Sequence, residues 1–220
     1  MHAAKDLPAE DPEGVVVAAV PERAAPFDVL VSRDPLQPGA RVGSSSLRRR
    51  GQLLRSRPYR VVDVRGNVDT RLRKMAAGEV DGLVLAAAGL MRLGIMPPHG
   101  EPLFEDEMVP APGQGSLAVQ TREDGAARGV VGEIDDRRSR LTFEAERALV
   151  RLLGGGCALP LGALASTPEG RVHLLAVVLR PDGTGMLRAE ATADAPDAAA
   201  REVADRLLEE GAGQIMEALR

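Results

Sequence analysis

Apolar and polar positions along the chain follow two different periods. Tyr59-Arg60-Val61-Val62-Asp63-Val64 has the β-branched richness and near-alternation of a strand. The stretch 68–77 then places Leu72, Met75 and Ala76 on one side of a helical repeat and closes at Gly78, a helix stop. Leu83-Val84-Leu85 is a short apolar run typical of a buried strand, and it leads into a further helical stretch, 86–93. Strand–helix alternation over 41–93 predicts a mostly parallel α/β sheet. A Pro/Gly-rich stretch, 96–115, breaks the pattern and reads as a domain crossing or hinge.

The C-terminal third has another grammar. An amphipathic helix over 141–153 runs into Gly154-Gly155-Gly156. Strands over 171–179 and 186–192 are joined by Pro181-Asp182-Gly183, a good hairpin turn. Asp194–Pro196 then opens a long helix with Val203, Leu207 and Leu208 as expected core contacts. Strands followed by a helix predict a small α+β domain distinct from the α/β part.

Composition narrows the function classes. The 220 residues hold 44% hydrophobic and 27% charged side chains, the balance of a globular chain. Phe27, Phe104, Phe143 and Tyr59 are the only aromatics, so stacking platforms for single-stranded nucleic acid are hard to build. The single cysteine excludes an internal disulfide and a multi-cysteine metal site, and no metal is expected. No apolar run reaches membrane-spanning length and no signal-peptide order is present, which predicts a cytoplasmic protein without a membrane partner.

Charge is unevenly distributed. Residues 41–74 carry ten arginines and Lys74 against Asp63 and Asp69, a net +9 inside a chain of net −4. A basic block in an otherwise acidic chain points to a local anion site. Within it, Gly43-Ser44-Ser45-Ser46-Leu47-Arg48-Arg49-Arg50 reads as a strand end, a hydroxyl-rich turn and a helix start, which together make an anion receptor. Its ordinary reading is a serine N-cap with surface arginines. Arg65-Gly66-Asn67-Val68-Asp69-Thr70-Arg71 repeats the design one strand later, at the strand ends where open α/β sheets bind ligands. Two such sites suit a ligand with several negative groups: phosphate fits the pattern, although no Walker-type loop is present, and multiple carboxylates fit at least as well. Near the start, Lys5 and Asp6 in His2-Ala3-Ala4-Lys5-Asp6-Leu7-Pro8 ordinarily read as a solvated tip; read as function, they offer a carboxylate partner and a group that stabilises positive charge. Cys157, preceded by three glycines, sits in a loop open to close approach, as a covalent adduct would need; a lone cysteine is otherwise usually a small buried hydrophobe.

Together these segments resemble the porphobilinogen deaminase (hydroxymethylbilane synthase) family. The resemblance rests on residues 2–8, 43–49, 65–68 with Thr70-Arg71, Ala88-Gly89-Leu90 with Arg92-Leu93, Pro112-Gly113-Gln114-Gly115, Glu144-Ala145-Glu146-Arg147 and Gly155-Gly156-Cys157, in order and in spacing. It implies two α/β domains like those of type II periplasmic binding proteins, the first incomplete, and a small C-terminal α+β domain. Residues 1–25 and 110–136 would form domain one, 26–109 domain two and 137–220 the domain carrying the cysteine. It implies head-to-tail condensation of four porphobilinogens with loss of ammonia, primed on a dipyrromethane cofactor attached through Cys157. Asp6 matches the catalytic aspartate; Lys5, Ser46, Arg48 and Arg49 match cofactor-binding positions; Arg65, Arg71 and Arg92 match substrate-binding positions. The expected partner is porphobilinogen, with a monomeric chain and no nucleic acid. The family has a long segment before residue 2 that this sequence does not show: either the true start lies upstream, or that part is a separate polypeptide, or this is a non-functional remnant, and the isolated chain is expected to be poorly soluble or inactive. The alternative is a non-catalytic, carboxylate-binding remnant of the same family.

Overall fold

A computed structural model describes residues 1–154 and 159–219. Among them the elements run β1 (His2–Ala3), β2 (Val15–Ala19), β3 (Asp28–Ser32), β4 (Arg41–Gly43), α1 (Leu47–Ser56), β5 (Arg60–Val62), α2 (Val68–Ala76), β6 (Gly82–Ala86), α3 (Ala87–Arg92), β7 (His99–Leu103) and β8 (Leu117–Arg122). They continue as α4 (Ala127–Gly132), α5 (Arg137–Leu152), β9 (Leu161–Ser166), β10 (Val172–Leu179), β11 (Met186–Ala193), α6 (Pro196–Glu209) and α7 (Ala212–Glu217). They build a mixed α/β molecule with three sheets: β1-β8-β2, β5-β4-β6-β3-β7 and β11-β10-β9.

The five-stranded sheet is buried on both faces because its strands alternate between two cores. Val29 and Val31 of β3, with Leu83 and Leu85 of β6, pack under Met75 of α2 and Leu90 of α3. Leu30, Val42 and Val84 point the other way, onto Leu53 of α1 and Met108. All five residues of β3 are buried as a result.

The sheet is less parallel than the sequence pattern predicts. β4 runs parallel to β5 and β6, but β3 lies antiparallel to both β6 and β7. The reason is where the chain arrives and leaves. Asp28 opens β3 opposite Leu103, the last residue of β7, so both segments cross at the same end of the sheet and must run oppositely. The stretch 96–115 therefore contains a strand, with Pro102 tolerated on an edge. The crossing itself is shorter and is held by hydrogen bonds. Gln52 of α1 exchanges two bonds with the backbone of Val109 (3.1 and 2.8 Å). Ala24 N–H donates to the Gly115 carbonyl (3.2 Å). Gly115 has φ +87°, and a Cβ there would lie 2.4 Å from the Ala24 carbonyl oxygen, so only glycine fits where the two crossing segments touch.

In the C-terminal part the hairpin β10–β11 forms as the alternation predicts, and β9 adds a third antiparallel strand. Helices α5, α6 and α7 cover one face of this sheet through Leu149, Val203, Leu207 and Ile215. Leu208 is 43% exposed rather than a core contact, because α6 turns its neighbour Leu207 inward instead; Ala76 is likewise exposed at the end of α2. The opposite face, with Leu175, Val177 and Leu179, packs on Val109 of the crossing. In the small first sheet, Ala4, Val20 and Ala118 close around Phe143, contributed by α5. Among the described residues, no helix is long and apolar enough to cross a membrane.

Candidate active site

A pocket enclosing about 790 Å³, open solvent at its mouth included, lies where the three sheets' units converge. Lys5 and Pro8 come from the first segment, and Ser46 and Arg48 from the start of α1. Gly113 of the crossing, Phe143 and Arg147 of α5, and Leu159 complete the wall. Leu159 follows Cys157 by two residues in the sequence; Cys157 itself lies outside the described residues. The lining described contains two arginines, a lysine and a serine, and no acidic side chain.

Local sequence puts these groups in place. Ser46 caps α1, its hydroxyl accepting from Arg49 N–H (3.4 Å). The ordinary reading of this turn thus holds for the serine and for the exposed Arg50, but Arg48 and Arg49 are buried. Arg48 donates to the Val109 carbonyl (2.7 Å) and to Asp28 Oδ2 (2.9 Å); Arg49 donates to the Val84 carbonyl (2.9 Å) and to Asp28 Oδ1 (2.7 Å). Gln114 adds a third donor to Asp28 (2.9 Å). Burial alone would raise the Asp28 carboxyl, but the two guanidiniums outweigh it and hold it at about 2. A fixed carboxylate thus holds two adjacent like-charged arginines side by side. Among the described residues, the buried Arg49 Nε has no hydrogen-bond partner.

Around this cluster other cations feel its field. Lys5 is exposed as a residue, yet partial withdrawal of its ammonium from water, and then the positive charge of Arg49, lower it below the usual lysine range. Arg71 is lowered in the same way, by burial first and by Arg49 second, while its Nε donates to the Gly66 carbonyl (2.7 Å). Lys5, Arg48, Arg49 and Arg71 therefore form one electrostatic neighbourhood.

The remaining expected site residues lie apart from the pocket lining. Asp6 is exposed at the end of the 3-10 turn Ala4–Asp6, adjacent to Lys5. Arg65 is 84% exposed and faces Asp63 at 3.3 Å. Arg92 donates to the Gly115 carbonyl (2.8 Å), at the crossing. No cluster of three or more potential metal ligands occurs among the described residues.

Three residues outside the expected set organise the site. Asp28 is the carboxylate between the arginines. Glu146, 1% exposed, accepts from Arg23 (2.7 and 3.2 Å), from Gly113 N–H (2.5 Å) and from Ala165 N–H (2.7 Å). Arg147 lines the pocket, with its guanidinium 5.6 Å above the Phe143 ring. Glu146 and Arg147 stand in the 144–147 motif, and Gln114 in the 112–115 motif, so the sequence flagged their segments. Asp28 had one signal, a carboxylate heading an apolar strand.

Comparison with known proteins decides the family. Residues 1–128 match the family model described as porphobilinogen deaminase, dipyromethane cofactor binding domain, and residues 140–210 the porphobilinogen deaminase C-terminal domain. The chain belongs to the porphobilinogen deaminase family. Members from Rubrobacter xylanophilus and Pelotomaculum thermopropionicum are 48% and 46% identical to it, over 98% and 100% of this chain and 73% of each relative. The Thermus thermophilus member is 44% identical over 100% of this chain and 76% of its own length. A cofactor carrying several carboxylates suits the donor set seen here, which is cationic and hydroxylic with apolar walls and no acid in the described lining.

Proposed function

We propose that the chain acts as a porphobilinogen deaminase, a transferase that joins four porphobilinogens head to tail, losing ammonia at each addition, to give hydroxymethylbilane. The observation that carries this reading is the acid-free cationic pocket of Lys5, Ser46, Arg48 and Arg147 beside Leu159, in a chain of this family. The dipyrromethane cofactor supplies the primer on which the tetrapyrrole grows, and Cys157 is its proposed attachment point.

The chain's own residues bind, orient and balance charge. Lys5, Ser46 and Arg48 would hold the cofactor's carboxylates at the pocket wall. Arg49, committed to Asp28, would contribute from behind them through its field and through its Nε, which has no partner among the described residues. Arg71, Arg65 and Arg92 would meet the acetate and propionate of incoming porphobilinogen, with Arg71 closest to the buried cluster in electrostatic reach. Asp6 would stabilise the positive charge that builds on the substrate as ammonia leaves and the carbon–carbon bond forms. A carboxylate suits this role because successive rings each bring a developing cation to the same place.

The same reading divides the chain into 1–25 with 110–136, 26–109 and 137–220. The first two units would be α/β domains of the type II periplasmic-binding kind flanking a cleft. It places the enzyme in the cytoplasm as a monomer that binds neither nucleic acid nor membrane.

Intact-mass measurement of the chain expressed in cells, together with a pyrrole-detecting aldehyde reagent, tests the core of this. A dipyrromethane-sized adduct and its colour are expected in the wild type and lost in Cys157→Ser. An adduct that persists in Cys157→Ser would refute the attachment point. A wild-type chain that never carries the adduct, even when the family's N-terminal segment is supplied alongside it, would refute the enzymatic reading.

A further inference from the structure

One set of contacts ties the Lys5–Asp6 turn to α5, the helix that precedes Cys157 in the sequence. Arg147 and Phe143 lie one turn apart on α5, and the guanidinium rests on the ring. Its Nη1 donates to Asp11 Oδ2 (2.9 Å), and its Nη2 donates to Asp11 Oδ1 (2.9 Å) and to the Pro8 carbonyl (3.0 Å). Asp11 Oδ1 also accepts from Gln120 Nε2 of β8 (2.7 Å). The side chains are 11% and 27% exposed, so the pair is only partly screened by water. Segment 4–11 is thus pinned at both ends. Ala4 N–H donates to the Ser116 carbonyl (3.0 Å) at its start, and Pro8 and Asp11 are gripped by α5 at its finish. From behind, Gly113 packs so tightly that a Cβ there would lie 2.9 Å from Lys5 N.

We propose that Asp11 and Arg147 are a positioning pair, a clasp that fixes the Lys5–Asp6 turn at a set height against α5. The bidentate fork defines both distance and orientation, which a single charge contact would not. The clasp matters to chemistry because Asp6 stands in the turn before β2 whereas α5 belongs to the C-terminal part that leads in sequence to Cys157, and reacting groups tolerate displacements of only about 1 Å. Asp11 itself is not in the pocket lining described, so it acts through the turn it holds. This rests on the reading of Lys5 and Asp6 as site residues.

Lysine chemistry gives a readout independent of activity. Lys5 and Lys74 are the only lysines in the chain. Reductive ¹³C-methylation therefore yields two dimethyl-lysine signals besides the Met1 α-amine, and Lys5 is assigned by its loss in Lys5→Arg. The charged groups acting on Lys5 are Asp6, Asp28, Arg48 and Arg49. In the wild type Lys5 is expected to titrate below an ordinary lysine. In Asp11→Asn and Arg147→Gln, each checked for cooperative unfolding, its titration should move up toward the ordinary value as the turn is released into water. An unchanged Lys5 titration in the folded variants overturns the clasp. So does loss of cooperative folding in both, since the pair would then be a determinant of the fold. Adduct mass on the same samples separates the two readings. A responsive Lys5 on a chain that never carries the adduct, even with the N-terminal segment supplied, leaves the clasp standing and removes the enzymatic function.

Discussion

Asp28 is the residue on which the buried part of the site depends. Its carboxylate is fully enclosed and compensates Arg48 and Arg49, each donating to a different oxygen. Removing it leaves two like charges buried side by side, so Asp28→Asn is expected to cost roughly 3–5 kcal/mol, measured by denaturant unfolding. A pH dependence follows with a definite sign. The folded carboxyl sits near 2, below its unfolded value of about 3.9, so its stabilisation is complete above about pH 4 and is lost as pH falls through 2. Acid unfolding of the wild type should therefore steepen between about pH 4 and 2. Asp28→Asn should flatten that limb; equal slopes in the two proteins would count against the assignment.

Among the helices, glycine separates intrinsic preference from packing. Gly51 lies inside α1, where alanine would ordinarily gain about 1 kcal/mol. Here a Cβ would come 2.8 Å from the Arg180 carbonyl oxygen and 3.2 Å from Leu179 Cβ, where α1 presses on the end of β10. Gly51→Ala is expected to destabilise by roughly 1–3 kcal/mol despite its propensity gain. Gly129 in α4 has open space where a Cβ would stand, with nothing within 4 Å, so Gly129→Ala should stabilise by about 0.5–1 kcal/mol. Urea midpoints of the two variants, moving in opposite directions, check both.

For the molecule as a whole, Glu146 joins three segments that are far apart in the chain. It accepts from Arg23 on the outgoing crossing, Gly113 on the returning one and Ala165 in β9. Glu146→Ala would strand a partly buried guanidinium and two backbone donors, costing roughly 3–5 kcal/mol. Because that loss falls on the junction rather than inside either neighbouring core, calorimetry should show one unfolding transition in the wild type and two in the variant. A single transition shifted as a whole would mean that the cores are coupled by other contacts, such as Val109 against Leu175 and Val177.

The sequence alone determined what depends on near neighbours. Helix α2 ends at its glycine, the β10–β11 hairpin turns at Pro181-Asp182-Gly183, and α6 begins at its proline, because caps, turns and amphipathic repeats act over a few residues. The basic block, the single cysteine and the ordered motifs were equally legible, and they carried the family resemblance. Tertiary structure alone decided how the charges were used. Nothing local distinguishes Arg48 and Arg49, closed on Asp28, from Arg65, which stays in water; their partner lies 20 and 21 residues away. The antiparallel course of β3 and β7 follows from where the chain crosses between sheets, a constraint absent from any periodicity. Arg147 meets Asp11 across 136 residues, and only the folded chain brings that pair to the turn holding Lys5 and Asp6. Burial and charge pairing are set by groups distant in sequence, whereas element type is set largely by groups close by.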